Sequence, residues 1–259
     1  MIKHSEFVDN VSFNFLNFDK IDFQAIRKAS DQYNLAVIKN FIPIQEINDC
    51  KKIIKNNFLQ LNDRIRQKGE YHKVMTNYQR LCVGYGESPA SGEIRNSRLF
   101  RILFNPTFEK NIYGMRDIFK KLIVLRNLLY GINEKYCLEE PEGGVFSCSR
   151  IHQFPKGGGF LQLHRDKDAE TSSKNAGLST YLNPLIIFDK KGEDFKTGGG
   201  IIKYNDEIIF YEDTLEPGDL VIYNGKTEHG VYNIDQEEIL NLKNFNGRSS
   251  ILASLFKTK

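Results

Sequence analysis

The second half of the chain is divided into short segments that are apolar or that alternate apolar and polar residues. Segments such as Asp189-Lys190-Lys191-Gly192 and Glu216-Pro217-Gly218-Asp219 lie between them and have the composition of turns. Seven or eight short strands at this spacing are typical of an all-β sandwich or a barrel-like roll. The predicted strands are residues 145–154, 160–164, 178–188, 199–204, 207–211, 219–224, 230–234 and 249–256.

The first 144 residues are predicted to be mostly helical support and loops. Residues 23–33 are predicted to be helical, a segment after Pro43 repeats apolar residues at helical spacing, and a third helix is predicted to open at Asn105-Pro106-Thr107. Residues 67–105 are aromatic and basic and indicate either a pocket-lining loop or a solvated loop with surface arginines. We predict a mainly β fold with flanking helices: a jelly roll with N-terminal helices packed on one face. Two further segments are predicted to be extended, 1–20 and 35–41.

Composition limits the classes of function. The 259 residues, 40% hydrophobic and 27% charged, fit one large domain. A net charge of +3 gives no reason to expect nucleic acid or an anionic membrane as partner. The sequence lacks an apolar run near the ~18 residues of a membrane span and an N-terminal apolar signal core, so we expect a cytoplasmic protein. Nothing in the sequence indicates an oligomeric state, and four scattered cysteines are expected to be free thiols.

His164 and Asp166 follow a glycine run at 157–159 and stand two residues apart in an apolar, alternating segment. In an extended segment successive side chains point to opposite faces, so these two share one face. An imidazole and a carboxylate on one face are two of the three ligands of a 2-His-1-carboxylate metal site. That arrangement leaves positions on iron open for substrate and oxygen.

The third ligand should come from another strand of the roll. Of the five histidines (His4, His72, His152, His164 and His229), His229 fits best because it follows a predicted strand and turn. His152 is the rival, since it lies an even number of residues before His164. The glycine run interrupts the strand between them, and we therefore assign His152 a structural, hydrogen-bonded role.

Arg248 begins the last predicted strand, and Ser250 lies on the same face two residues later. An arginine that points inward needs an anionic partner, and its planar fork pairs bidentately with carboxylates. An iron site with such an arginine and a hydroxyl group would suit a small dicarboxylate. Lys243 and Arg150 are the alternatives for this role.

Five motifs occur in a characteristic order over residues 145–256. They are the aromatic, glycine-rich segment 154–160 before His164-Arg165-Asp166, Tyr181-Leu182-Asn183, Gly198-Gly199-Gly200, the segment 216–223 before His229, and Arg248-x-Ser250. In this order the chain resembles the Fe(II)/2-oxoglutarate-dependent dioxygenases of the double-stranded β-helix (cupin-like) fold, in the branch of prolyl 4-hydroxylases and phytanoyl-CoA hydroxylase-like enzymes. Residues 36–43 also resemble the opening segment of many such enzymes.

The resemblance implies a role for each residue. His164, Asp166 and His229 would bind Fe(II), and Arg248 with Ser250 would hold the distal carboxylate of the co-substrate 2-oxoglutarate. O2 would then be used to hydroxylate an unactivated C–H bond of a small-molecule metabolite, with release of succinate and CO2. The ligand Asp166 argues against halogenation, in which halide occupies the position of a missing carboxylate.

Several expectations accompany this hypothesis. Residues 1–259 would form a single dioxygenase domain, with helical support and substrate loops in 1–144 and the jelly-roll core in 145–256. Arg248 follows His229 by 19 positions, more than expected in this branch, which predicts a longer hairpin loop around 235–246. Residues 167–177 are polar and are predicted to be a mobile flap over the site, or an ordinary surface loop.

Two other functions remain open from the sequence. The first is a hydroxylase of a protein side chain, and the second is a non-redox, cupin-like roll that binds a metal or a sugar. Arg248-x-Ser250 speaks against the second, because a simple metal-binding roll has no use for a buried arginine there. Nucleic-acid demethylation is disfavoured because the chain has no basic stripe.

Overall fold

The computed structural model describes residues 4–65, 75–87, 94–166 and 181–257. These residues form four helices: α1 (His4–Asn10), α2 (Phe23–Tyr33), α3 (Ile44–Asn57) and α4 (Arg116–Tyr130). They also form strands β1 (Ser12–Asn14), β2 (Ala36–Lys39), β3 (Arg64–Ile65), β4 (Tyr78–Glu87), β5 (Ile94–Phe104), β6 (Val145–Phe154), β7 (Gly159–His164), β8 (Leu182–Ile187), β9 (Gly199–Tyr204), β10 (Glu207–Phe210), β11 (Leu220–Asn224), β12 (His229–Ile234) and β13 (Arg248–Lys257). Within the described residues, no helix has the length and apolar character needed to cross a membrane.

Strands β6 to β13 form a jelly roll of two four-stranded sheets. The first sheet has the order β6-β13-β8-β11, and the second has the order β7-β12-β9-β10. The chain changes sheet at each step except at the hairpin from β9 to β10. This alternation is that of a double-stranded β-helix, and the predicted fold class is confirmed.

The two faces of the first sheet pack against different hydrophobic cores. On β13, Ile251 and Ala253 belong to a core shared with α2, α3 and α4, whereas Leu252 belongs to the core inside the roll. Each fully buried leucine or isoleucine stabilises the fold by roughly 1.5–3 kcal/mol, so these packed faces fix the helices on the sheet. The prediction that the helices cover one outer face is therefore confirmed.

Sequence signals at the helix ends explain where α2 lies. The Asp22 carboxylate accepts hydrogen bonds from the backbone N–H groups of Gln24 and Ala25, as an N-cap does. At the other end Asn34 takes a left-handed conformation with φ of 62°, which ends the helix just before β2. The predicted helix at 23–33 and the helix after Pro43 both form.

The prediction of a loop over residues 67–105 is wrong for β4 and β5, which pair as a long antiparallel hairpin. β5 also pairs with both β6 and β7 and so joins the two sheets along one side of the roll. The basic residue Arg101 obscured this strand: it is fully buried, and its guanidinium pairs with Asp63 at 2.7 Å. Its Nη1 donates to Gln153 Oε1 at 2.9 Å, and residues 100–104 of β5 are buried on both faces, with Arg101 on the same face as the core residue Leu103.

Three other boundaries differ from the predictions. The third helix begins at Arg116 and not near residue 105, because Gly114 has a left-handed φ of 72° that a continuous helix cannot include. Residues 4–10 are helical, whereas the rest of the first segment contains the short strand β1. The proposed flap at 167–177 and His72 lie outside the described residues.

The segment between β12 and β13 is not a hairpin, because these two strands lie in different sheets. It packs instead on the glycine run before β7. A Cβ atom on Gly157 would lie 2.5 Å from the backbone nitrogen of Leu240, and the Gly157 N–H donates to the Asp235 carbonyl oxygen at 3.1 Å. Only glycine permits this close approach, which gives the glycine-rich motif a physical reason.

Candidate active site

Two strands of the second sheet bring the predicted ligands together. His164 is the last residue of β7, His229 is the first of β12, and the two are directly paired across the strands. Their ring centroids lie 4.4 Å apart. Asp166, just beyond β7, places Oδ1 at 3.6 Å from His164 Nε2 and Oδ2 at 3.6 Å from His229 Nε2.

Backbone carbonyl groups fix the tautomer of both histidines. His164 Nδ1 lies 2.9 Å from the carbonyl oxygen of Gln162, and His229 Nδ1 lies 3.0 Å from that of Thr227. Because a carbonyl oxygen only accepts, each Nδ1 donates to it, which leaves each Nε2 on the side of the Asp166 carboxylate. A hydrogen bond at the remote nitrogen is the usual way in which a metal-binding histidine is oriented.

Two residues of the Tyr181-Leu182-Asn183 motif support the carboxylate. Asp166 Oδ2 accepts from Asn183 Nδ2 at 3.2 Å and from the Tyr181 hydroxyl at 3.4 Å. Asn183 Nδ2 also lies 2.8 Å from the Tyr223 hydroxyl, which holds the amide in place. The sequence analysis noted this motif without assigning these contacts.

The protonation states suit metal binding at neutral pH. Burial lowers the pKa of His229 to about 4, although Asp166 opposes that shift, so the imidazole is neutral. Burial alone would raise the pKa of Asp166, but the neighbouring His229 and His164 outweigh it and lower the pKa below its usual range. Near neutral pH the site therefore offers the neutral imidazole of His229 and the ionised carboxylate of Asp166.

This donor set fits Fe(II). The candidate ligand atoms of the three residues all lie within 4.8 Å of one another. A metal about 2.1 Å from each atom, with ligands at right angles, needs separations of about 3 Å, which small side-chain movements supply. Two imidazoles and one carboxylate on one face of the ion leave the remaining positions open, as in non-haem Fe(II) oxygenases.

Arg248 is buried, and a carboxylate that the sequence analysis missed pairs with it. Its Nη2 lies 2.5 Å from Glu212 Oε1, and its Nε lies 3.0 Å from the same oxygen. Nη1 donates to Ser250 Oγ at 3.1 Å, and the guanidinium lies over the Phe154 ring at 5.1 Å. A buried arginine needs an anionic partner, and this rule was the available signal for Glu212, but sequence alone offered no way to choose the carboxylate.

The glycines at the start of β9 make room for that pair. The Gly200 N–H donates to Glu212 Oε2 at 2.9 Å. A Cβ atom on Gly200 would lie 2.2 Å from the Tyr211 hydroxyl oxygen, so a side chain at Gly200 would displace Tyr211. The motif Gly198-Gly199-Gly200 thus allows the turn at 211–214 to lie against the strand.

A cavity that is partly open to solvent connects the trio with Arg248. The first sheet contributes Arg150, His152, Phe154, Asn183, Leu185, Tyr223, Arg248, Ser250 and Leu252, and the remaining lining consists of Leu161, His164, Asp166, Tyr211, His229, Gly230 and Val231. All five predicted site residues line it. His152 also lines it but hydrogen-bonds with Arg150 and is not part of the trio, whereas Lys243 is not among the lining residues.

Comparisons with known proteins give no match to a protein-family model and none to a curated protein sequence. Solved structures do match. The chain is similar to a prolyl hydroxylase from Trichoplax adhaerens, solved in complex with a peptide fragment of the hypoxia inducible factor oxygen degradation domain. The identity is 10%, 91% of this chain and 89% of that chain are covered, and the TM-score is 0.53.

Two bacterial structures are similar at comparable levels. A prolyl-4-hydroxylase from Pseudomonas putida has 14% identity and a TM-score of 0.50, over 91% of this chain and 98% of that one. A 2OG-Fe(II) oxygenase family oxidoreductase from Burkholderia pseudomallei has 9% identity and a TM-score of 0.50, over 95% of each chain. At such identities the likeness concerns the fold: the chain has the double-stranded β-helix fold of these oxygenases.

Proposed function

We propose that the protein is an Fe(II)- and 2-oxoglutarate-dependent oxygenase that hydroxylates an unactivated C–H bond of a small molecule and releases succinate and CO2. The observation that carries the proposal is a single cavity lined by the His164–Asp166–His229 trio and by Arg248 with Ser250. One end of the cavity offers metal ligands, and the other offers a guanidinium and a hydroxyl. A dicarboxylate with a keto group beside one carboxylate matches both ends.

Each residue has a defined task. Iron would be held by the Nε2 atoms of His164 and His229 and by the Asp166 carboxylate, and it would supply the activation of O2. Glu212 holds the Nε–Nη2 edge of Arg248. The Nη1 side, with the Ser250 hydroxyl, is then left to bind the distal carboxylate of 2-oxoglutarate.

Apolar side chains complete the cavity. Leu185 and Leu252 of the first sheet and Val231 of the second line it. Apolar walls of this kind lower the local dielectric constant and so strengthen charge interactions within the cavity.

The direct test is the 2-oxoglutarate dependence of succinate formation by wild-type protein and by Arg248→Gln. Losing a charge-assisted hydrogen bond from a buried guanidinium should raise the KM for 2-oxoglutarate about ten- to a hundredfold, while the Fe(II) affinity stays within about twofold. Arg248→Lys should recover only part of the loss, because lysine offers a point charge without the fork.

The control is a double variant, Arg248→Gln with Glu212→Gln, which leaves no unpaired buried charge. It should melt close to the wild-type temperature and still bind 2-oxoglutarate poorly. An unchanged KM in both variants would remove Arg248 from the co-substrate site. Wild-type protein that forms no succinate from 2-oxoglutarate with Fe(II) and O2 would overturn the proposed function itself.

A further inference from the structure

A second arginine, Arg150, lines the same cavity at a different place. On β6 the residues Arg150, His152 and Phe154 all line the cavity, as alternate residues of a strand do. In the pairing of β6 with β13, Phe154 lies opposite Arg248 and Arg150 lies opposite Leu252. Four residues of strand place the backbone positions of the two arginines about 13 Å apart, and their side chains have different partners.

The contacts of Arg150 hold it in position without neutralising it. Its Nε donates to His152 Nε2 at 3.1 Å, its Nη1 to the Cys148 carbonyl oxygen at 3.0 Å, and its Nη2 to Ser254 Oγ at 3.2 Å. The guanidinium also lies over the Phe256 ring at 5.8 Å. A nitrogen, a carbonyl and a hydroxyl are all uncharged acceptors.

His152 provides no negative charge and does not compete for an anion. Its Nε2 accepts from Arg150, so any ring proton lies on Nδ1. Burial, together with the positive charges of Arg150 and Arg248, lowers the pKa of His152 well below its usual value, and the ring is neutral. It acts as a fixed acceptor that orients the Arg150 fork.

The carboxylates near the cavity already have partners. Asp166 belongs to the metal trio, and Glu212 is paired with Arg248. Among the described residues no carboxylate lies within ion-pair distance of Arg150. Two N–H groups of its five, one on each Nη, are not used by the three contacts above, and a guanidinium edge of this kind matches a carboxylate.

We propose that Arg150, assisted by Ser254, binds a carboxylate group of the primary substrate. This inference rests on the proposed function and narrows its substrate class to small organic acids. The substrate carboxylate would pair with Arg150, while its reacting carbon lies near the metal trio. Arg248 would remain occupied by the co-substrate.

The test uses matched probes: short aliphatic, aromatic and N-acetylated amino-acid carboxylic acids, each with its primary amide. They are titrated calorimetrically into anaerobic protein that carries Fe(II) and saturating 2-oxoglutarate. We expect acids of the panel to bind at least about tenfold more tightly than their amides, and Arg150→Met to abolish that preference. The affinity for 2-oxoglutarate itself should stay within about twofold.

Two further variants keep the test decisive. Arg165→Met removes the same charge from a half-exposed side chain beside the trio, which pairs with Glu228 at 3.6 Å, and should preserve the acid preference. Arg150→Lys, which keeps the charge, should retain part of the preference for acids. If Arg150→Met melts at a markedly lower temperature, the test relies on Arg150→Lys and Ser254→Ala. In Ser254→Ala the preference for acids over amides should fall by a few fold.

Four outcomes would overturn the inference. The first is that acids of the panel bind wild-type protein no better than their amides, and the second is that the preference for acids survives in Arg150→Met. The third is that Arg165→Met loses the preference for acids as fully as Arg150→Met does, which would assign the preference to the overall positive charge near the trio. A tenfold loss of 2-oxoglutarate affinity in Arg150→Met would assign Arg150 to the co-substrate. Failure of the proposed function differs from all four, because wild-type protein would then not bind 2-oxoglutarate.

Discussion

At the scale of single residues, the Arg248–Glu212 pair determines how one end of the cavity is built. Both side chains are almost fully buried, with 3% and 4% of their surface exposed. Removing one partner of a buried pair leaves an uncompensated charge, which typically costs more than the pair itself contributes. Glu212 therefore positions Arg248 and does not contact the reacting atoms.

Substitution of Glu212 should reveal this dependence in stability. Glu212→Ala should lower the free energy of unfolding by about 3–5 kcal/mol, and Glu212→Gln by less, because the amide oxygen still accepts. Urea denaturation measures both values. Glu228→Ala is the control: its carboxylate is 37% exposed and pairs with Arg165, so a change of about 0–1 kcal/mol is expected. Similar losses in Glu212→Ala and Glu228→Ala would contradict the account.

Asn183 offers a second test at this scale. Asn183→Leu keeps the number and branching of the side-chain heavy atoms but removes the hydrogen bonds to Asp166 and Tyr223. Loss of a residue that orients a metal ligand typically weakens metal binding about 10–100-fold, and we expect a loss of that size for Fe(II), measured by anaerobic competition with a chelator. Asn233→Leu, which removes an exposed hydrogen bond to Gln236, should leave the affinity unchanged. Unchanged Fe(II) affinity in Asn183→Leu would show that Asp166 needs no such support.

The site was partly predictable at the residue scale. His164 and Asp166 stand two residues apart, and strand geometry alone places them on one face. The partners of Arg248 and Arg150 come from distant segments: Glu212 lies on the turn after β10, and Ser254 lies across the β6–β13 pair. Such pairings depend on tertiary packing and leave no local pattern.

At the scale of elements, the junction between β9 and the turn at 211–214 connects a glycine motif to the co-substrate end of the cavity. Gly200 contributes its N–H to Glu212 and leaves space for Tyr211. The turn carries both Tyr211 and Glu212, so its position sets the position of Arg248. A side chain at this glycine would act on the cavity from outside it.

Gly200→Ala should therefore affect both stability and binding. The new Cβ would meet the Tyr211 hydroxyl, and such overpacking typically costs about 1–3 kcal/mol. We expect weaker 2-oxoglutarate binding as Tyr211 and Glu212 move. Gly192→Ala is the matched control: its φ of 93° is strained for alanine, but no heavy atom lies within 4 Å of the new Cβ. If both variants bind 2-oxoglutarate equally well, the junction has no role in the site.

The elements also show where sequence patterns are informative. β6 and β9 form at the predicted residues, because apolar segments between turn residues have few other ways to be buried. β5 was missed because an arginine such as Arg101 is usually expected at the surface. In the structure Arg101 is buried, and its guanidinium hydrogen-bonds with Asp63 and Gln153. The polar partners of a buried face cannot be recognised before the fold is known.

At the scale of the whole molecule, the two sheets supply different parts of the candidate site. The second sheet supplies the metal trio through β7 and β12, and the first supplies both arginines through β6 and β13. A bound dicarboxylate would thus bridge the sheets. Helices α2 to α4 pack on the outer face of the first sheet and keep its strands in register.

The measurement that tests this account most directly is the visible absorption of the anaerobic protein with Fe(II) as 2-oxoglutarate is added. If His164, Asp166 and His229 bind one iron and the co-substrate chelates it, wild-type protein develops a charge-transfer band when 2-oxoglutarate is added. The intensity of the band at saturating 2-oxoglutarate should stop rising at one equivalent of Fe(II). His164→Ala and His229→Ala should remain folded and show no such band. A wild-type protein without the band, or variants with a band equal to that of the wild type, would contradict the central claim.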